Sequence, residues 1–342
     1  MRIGLITRCY EQGYQGGDRI LDDRMKKFLS ARVELQTLEL DRDLSSAAIG
    51  RTLLRRSHPA LETYSQVVNA NRIATFAQSV DALVISHEAL MQPFLQASIT
   101  TPACVLMHNL VSKSDGDLGK RGWFRAGAGR VECQVLTRPR TTVMVLSHRE
   151  HDALVNDGWD NVVACPPGIR SVYETRPERL HLDRIILNGT TAWGLKQRDF
   201  DRFLAESRPS EPRFAFGSED DLRDDATLRV AVITDRFRSG FKLKSADLIS
   251  QNTALISFID LSADFPPDCA PRSCLRIIRE TSEIENTIVA IRQNFGAIVE
   301  EITVLKQEMQ KRMSWEVFGD TLLGALASAA GQSWGLMPER AE

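Results

Sequence analysis

The sequence has no C-x-x-C pair, no G-x-G-x-x-G fingerprint, no excess of one charge and no long apolar run. Each absence removes a class of protein. The six cysteines (Cys9, Cys104, Cys133, Cys165, Cys269 and Cys274) lack zinc-ligand spacing. Several fall in strand-like apolar runs, which suits reduced thiols in a cytoplasmic protein. His148 and His151 do not form H-E-x-x-H, so no metal is expected there. With 43 basic against 45 acidic residues, nothing marks a nucleic-acid binder. No apolar stretch reaches the ~20 residues that span a bilayer. The opening MRIGLITRCY reads as a strand, without the apolar region of a signal peptide.

What is present is α/β. A length of 342 residues favours two domains, each able to bury its own core. Arg2–Thr7 reads as a strand, Gly13–Gly17 as a glycine-bearing loop, 18–30 as a helix and 33–40 as an alternating strand. Without the dinucleotide fingerprint this βαβ opening is a poor NAD site. Residues 41–79 read as helical, with Arg51, Arg55 and Arg56 as a solvated patch. Two short buried strands end at His87 and His108, the end of an open α/β sheet where ligands bind. Lys113–Gly129, rich in glycine and charge around Trp123 and Phe124, is too long for an ordinary connection. It reads as an acceptor loop, one able to touch a lipid-linked acceptor, or as a mobile segment. Ser147 and Glu150 have capping-box spacing, which accounts for them as a helix start.

The richest stretch is 228–258, LRVAVITDRFRSGFKLKSADLISQNTALISF. It reads as a buried strand, a polar loop, a helix over Leu243–Ser250 and a second buried strand. Gly240 stands at the loop-to-helix junction, where unpaired N–H groups and the positive helix end can receive a phosphate. Lys244 and Asp247, three apart, project from one helix face and could hold the phosphate and ribose of a nucleotide. An ordinary βαβ unit with a solvated charged face explains the same residues without chemistry.

The run S-G-F-K-L-K-S-A-D followed by an apolar strand resembles the donor-site segment of retaining group-1 (mannosyltransferase-like) GT-B glycosyltransferases. There, E-G-F-x-x-x-x-x-E-A followed by G-x-P-V-V contacts the nucleotide sugar. Gly240 and Phe241 match, Asp247 stands at the second Glu, Ser239 replaces the first, and Gln251–Asn252 replace a small-Gly pair. T-P-A-C-V-L-M-H-N resembles the family's strand ending in a His that faces the sugar, here His108. Gly16 and Gly17 look like its first-loop glycine pair. Asn161–Ile169 is similar to its strand and P-x-G hinge. In the strand–loop–helix at 184–204, Lys196 or Arg198 would take the place of the basic pair that grips the pyrophosphate, with Thr190 at the usual Arg position. The resemblance covers 1–260 with gaps, and the spacing before Leu228 implies a second domain shortened by a βα unit.

Beyond that lies a heptad seam: Ile277, Thr281, Ile284, Ile288, Ile291, Phe295, Ile298, Ile302, Leu305 and Met309. Glu301 and Lys306 are spaced for a pair across a parallel interface. The pattern predicts one long helix, serving either as a homo-oligomer interface through 277–309 or as a strap across both domains. Trp315–Met337 reads as a packing helix or a peripheral membrane contact.

The expected architecture is two Rossmann-like domains (GT-B-like) with a C-terminal helical, coiled-coil extension. The segments are 1–168, 169–265, a heptad helix over 275–313 and an apolar tail over 314–342. The resemblance implies a glycosyltransferase of polysaccharide biosynthesis that moves a hexose from a nucleotide-diphosphate sugar to a hydroxyl of a glycan or lipid-linked acceptor. It would be cytoplasmic or membrane-peripheral, with no cofactor, metal or nucleic-acid partner. The competing expectation is a non-catalytic GT-B-like module that assembles through its coiled coil.

Overall fold

The computed structural model describes every residue except 13, 15, 114–121, 170, 171, 183, 189–193, 208–213, 217–224, 238, 239, 268, 269 and 332–342. The sequence readings that rest on Gly13, Thr190, Ser239 and Cys269 therefore lie outside the described residues.

The first half alternates β1 (Arg2–Arg8), α1 (Gly17–Arg32), β2 (Glu34–Leu40), α2 (Ser46–Arg55), α3 (Pro59–Glu62), α4 (Val67–Ala77) and β3 (Ala82–Ser86). It continues with α5 (Met91–Gln96), β4 (Ala103–Met107), α6 (Gly122–Leu136), β5 (Thr141–Val145), α7 (His148–Asn156) and β6 (Val162–Ala164). The sheet runs β2-β1-β3-β4-β5-β6, with every pair parallel. β3 and β4 are buried along their whole length because successive side chains alternate between two covered faces. Val84, Cys104 and Leu106 meet Leu21, Met25 and Leu29 of α1. Leu83, Ile85, Val105 and Met107 meet Ile73, Phe94, Val131 and Leu154 on the other side. The Lys113–Gly129 loop reading needs correction in its second half. Trp123 and Phe124 open α6, and Phe124 is buried.

The second half holds β7 (Arg179–Leu180), β8 (Ile185–Asn188), α8 (Gly194–Glu206), β9 (Phe214–Phe216), β10 (Thr227–Ile233), α9 (Leu243–Ser250), β11 (Thr253–Ser257) and β12 (Leu275–Ile277). The helices α10 (Ile284–Gln293), α11 (Phe295–Arg312) and α12 (Trp315–Ala330) follow. The second sheet runs β12-β11-β10-β8-β9, again all parallel, with β7 against the start of β10. Its strands repeat the topology of the first sheet, with the order reversing between β8 and β10 as it does between β1 and β3. β9 is a strand that sequence reading missed, so the domain is less abbreviated than the spacing implies.

The heptad seam is corrected in two ways. It is not one helix, because α10 ends and α11 begins at Asn294. Nor does it face solvent: Ile284, Ile288, Ile291, Ile298, Ile302, Leu305 and Met309 are buried in the core of the second sheet, while Ile277 lies exposed on β12. The charged flanks turn inward as well. Glu301 accepts the N–H groups of Arg272, Ser273 and Cys274 at 2.6–2.7 Å. Lys306 donates to the carbonyls of Tyr173 and Thr175 and to Asn252 Oδ1. A hydrophobic seam reads the same in sequence whether it meets another chain or its own sheet.

The chain then crosses back. α12 packs Phe318, Leu322 and Leu326 into the first domain beside α1. The two crossings touch, with Ile169 N–H donating to the Met313 carbonyl at 2.9 Å. A Cβ on Gly168 would stand 2.6 Å from the Trp315 ring. Only glycine allows that approach. No helix among the described residues is long and apolar enough to cross a membrane.

Candidate functional site

The second sheet's strand order reverses between β8 and β10, the point where ligands bind outside the carboxyl ends of an open α/β sheet. Asp235, two residues past β10, stands there without exposed surface. Three ammonium groups surround it. Lys242 Nζ is 3.1 Å from Oδ2, Lys196 Nζ 3.9 Å from Oδ2, and Lys244 Nζ 3.9 Å from Oδ1. Lys196 comes from the first turn of α8, Lys242 precedes α9 and Lys244 lies in its first turn. Three cations gather on one buried carboxylate beside two helix N-termini, an arrangement suited to an anion.

Burial alone would raise the Asp235 carboxyl, but the pull of Lys242, Lys244 and Lys196 outweighs it and holds the group below its usual range. Burial pushes Lys244 down to about 8 against the opposing field of Asp235. It lowers Lys196 in the same direction. Lys242 is fixed twice more: its N–H donates to Asp264 Oδ2 at 3.1 Å, and its ammonium lies 4.6 Å from the Phe237 ring centre.

The other sequence-predicted residues divide between this cluster and its surroundings. Arg198 places its guanidinium on Asp199, at 3.2 Å, rather than joining the lysines at Asp235. Asp247 lies one turn beyond Lys244 on α9 and is half-buried. Gly240 adopts φ +56°, and a Cβ there would overlap the His108 carbonyl oxygen, so the second-domain loop rests directly on the end of β4. Asn252, in the place of the small-Gly pair, takes φ +57° just before β11. Asn is among the few non-glycine residues that visit this region readily.

In the first domain, His108 is buried, and its Nε2 lies 3.2 Å from Ser86 Oγ. The Ser86 hydroxyl donates its only proton to Asp22 Oδ1, so His108 Nε2 must be the donor and Nδ1 the unprotonated nitrogen. Tyr10 Oη donates to the other Asp22 oxygen at 2.7 Å. Burial, reinforced by Arg8, pushes His108 down to about 3, and burial pushes Asp22 up to about 6. The ring is therefore a neutral, oriented imidazole. His87, also buried, packs its ring 4.8 Å from that of His108.

Sequence reading missed what holds this loop in place. Glu88 accepts the N–H groups of His108 and Asn109 and the Asn109 side chain. Glu150, more than a capping-box partner, also accepts Leu110 N–H at 2.8 Å, and Glu132 accepts Ser112 N–H. Lys242 and Asp235 were missed too. A T-D at the carboxyl end of a buried strand and a K-x-K at the next helix start were the available signals. The sequence reading expects no D-x-D metal motif at a strand end, yet Asp41-Arg42-Asp43 stands just after β2. Its carboxylates pair with Arg72 and Arg51.

Gly16 precedes α1 and Gly17 begins it. Nothing lies within 4 Å of where a Gly17 Cβ would be, so that position is open, whereas a Cβ on Gly16 would collide with the Tyr14 ring, which covers it. Among the described residues, no group of three His, Cys, Asp or Glu could hold a metal ion.

No protein-family model matches the chain, and no curated protein sequence does. Solved structures do. Sucrose-phosphate synthase from Thermosynechococcus elongatus superposes with a TM-score of 0.66 at 12% identity, over 97% of this chain and 100% of that one. HepE from Anabaena in complex with UDP gives 0.64 at 12% identity, over 96% and 100%. A glycosyltransferase from Rickettsia africae gives 0.60 at 9%, over 97% and 99%. The chain has the GT-B fold. α12 is the helix that returns to the first domain.

Proposed function

We propose that this chain is a glycosyltransferase that moves a hexose from a nucleotide-diphosphate sugar to a hydroxyl of a glycan or lipid-linked acceptor. The observation that carries the reading is the three lysines gathered on buried Asp235 at the second sheet's switch point. Support comes from the GT-B fold, and from the binding of UDP-glucose by HepE, a chain of the same fold.

The chemistry follows from charge. Breaking the bond between sugar and diphosphate leaves negative charge on the departing phosphate. Fixed cations and helix N-termini stabilise that charge more in the transition state than in the bound donor. Lys196, Lys244 and the backbone at Gly240 carry this role, with Lys242 anchored beside them. Asp247 holds the ribose. His108, neutral and oriented by Ser86, accepts a hydrogen bond from a sugar hydroxyl through Nδ1. Gly17 lets donor or acceptor approach the backbone, with Gly16 beside it under the Tyr14 ring. Retention of configuration and the mannosyltransferase-like subtype belong to the same proposal and rest on the sequence resemblance. The protein's own cations serve the diphosphate, so the reading gives no role to a metal.

The test is turnover across UDP-, GDP- and dTDP-sugars, with His108→Ala alongside. One nucleotide should support sugar release or transfer, and His108→Ala should lower turnover far more than nucleotide affinity. Binding without turnover for every donor and acceptor offered would favour the non-catalytic module.

A further inference from the structure

Large apolar side chains are exposed singly over most of the surface, but six fall between residues 44 and 68: Leu44, Ile49, Leu53, Leu54, Val67 and Val68. Leu54 is 86% exposed and Val67 73%. Helix α2 buries Ala48 and Thr52, four apart, so Ile49, Gly50, Leu53 and Leu54 turn outward. Its sequence, SAAIGRTLLR, contains no acidic residue, and its two arginines lie on the flanks. A surface helix normally presents charge where this one presents leucine and isoleucine. Arg51 Nε, 3.1 Å from Ser65 Oγ, ties α2 to the segment just before α4, whose first two residues, Val67 and Val68, are exposed.

The surroundings are basic. Of the five arginines between Asp41 and Arg72, Arg72, Arg51 and Arg55 pair with Asp41, Asp43 and Glu62, which leaves Arg42 and Arg56 outside those pairs, and Arg130 adds a third cation by donating to the carbonyls of Arg55 and Arg56. Half-exposed Trp123 packs its ring at a tilt against Phe124, which meets the ring of His58 just past α2. Apolar side chains, an aromatic and a cationic border together fit the interface of an anionic bilayer. A second copy fits poorly, since a two-fold contact would set arginines against arginines across too few residues for a stable dimer.

We propose that α2, with Leu44 and Val67–Val68, seats the first domain on an anionic lipid surface. α2 follows the carboxyl end of β2, and Trp123 opens the helix that follows β4, so the docked edge is the edge that carries His108. Docking stands by itself, and only its consequence, delivery of a lipid-linked acceptor to the cleft, rests on the glycosyltransferase reading.

The full chain is sedimented with phosphatidylcholine vesicles, with and without about one third phosphatidylglycerol, and UDP binding is measured on the same preparations. The wild type should bind the anionic vesicles, less so at high salt. Leu53→Asp with Leu54→Asp should weaken that binding by about tenfold or more, and Arg56→Glu should weaken it less. UDP affinity should not change in either variant. Sedimentation equal for wild type and the leucine variant would overturn docking, as would no sedimentation at all. A concentration-dependent dimer abolished by the leucine changes would overturn it in favour of a second copy. UDP binding lost while vesicle binding persists would count against the glycosyltransferase reading alone.

Discussion

The backbone of Gly240 rests on the carbonyl of His108, so the loop that begins the lysine-bearing helix of one domain meets the strand end that presents the imidazole of the other. Neither side can yield easily. Gly240 sits at φ +56°, and the His108 segment is pinned by three buried glutamates, Glu88, Glu150 and Glu132, on the N–H groups of His108, Asn109, Leu110 and Ser112.

Replacing Gly240 by Ala combines a strained backbone with a collision against main-chain atoms. The strain alone costs about 1–3 kcal/mol. A thermal melt should show lower stability, and titration should show weakened nucleotide binding because α9 is displaced. A variant with wild-type melting and wild-type affinity would mean the two domains do not meet here in solution.

Asp235→Asn keeps the shape but removes the charge that three lysines share. The expected loss is about 2–4 kcal/mol, at or below the range for a broken buried pair because Lys196 and Lys244 keep some contact with water. The Asp235 pKa is depressed, so its contribution is present above the unfolded value near 3.8 and disappears as pH falls through the lower folded value. The gap between wild type and variant should therefore close in acid. UDP should raise the melting temperature of the variant more than that of the wild type, since a diphosphate resupplies the missing negative charge. Equal melting of the two proteins at pH 7 would remove Asp235 from the cluster.

Lys244 titrates near 8, and only its charged form attracts a diphosphate. UDP affinity should fall as pH rises through about 8, and Lys244→Arg should remove that break because guanidinium stays charged. Affinity that is flat from pH 7 to 9 in the wild type would place Lys244 away from the phosphates.

How much of this was legible beforehand depended on whether a residue's role is local. The buried strands β3, β4, β10 and β11 announce themselves as short apolar runs, and Gly240 marks its own junction. Asp235 does not, because a carboxylate's purpose lies in three lysines that are distant in sequence or sit past a loop. Glu88 and Glu150 were invisible as loop anchors for the same reason, since their partners are backbone N–H groups 20 and 40 residues away. β9 was missed because three residues give too short a pattern to show a period. The Ile284–Met309 seam showed its apolar face clearly, but periodicity cannot say what that face meets.

That seam yields a direct contrast. Ile291 and Ile298 have no exposed surface, so replacing either by Lys buries a cation in the second domain's core and should cost about 4 kcal/mol or more. The melt of the whole chain should drop sharply. An unchanged melt with altered sedimentation would restore the seam as an interface between copies.

The most direct test of the proposed donor site is calorimetric titration of the wild type and of Lys196→Ala/Lys244→Ala with UDP and with uridine. Each charge-assisted contact is worth about 1.5–3 kcal/mol. UDP should therefore bind the wild type at least about a hundredfold more tightly than uridine. The double variant should lose most of that difference while uridine binding stays the same. If UDP and uridine bind the wild type equally, or if the double variant keeps the full difference, the lysines around Asp235 do not hold a diphosphate.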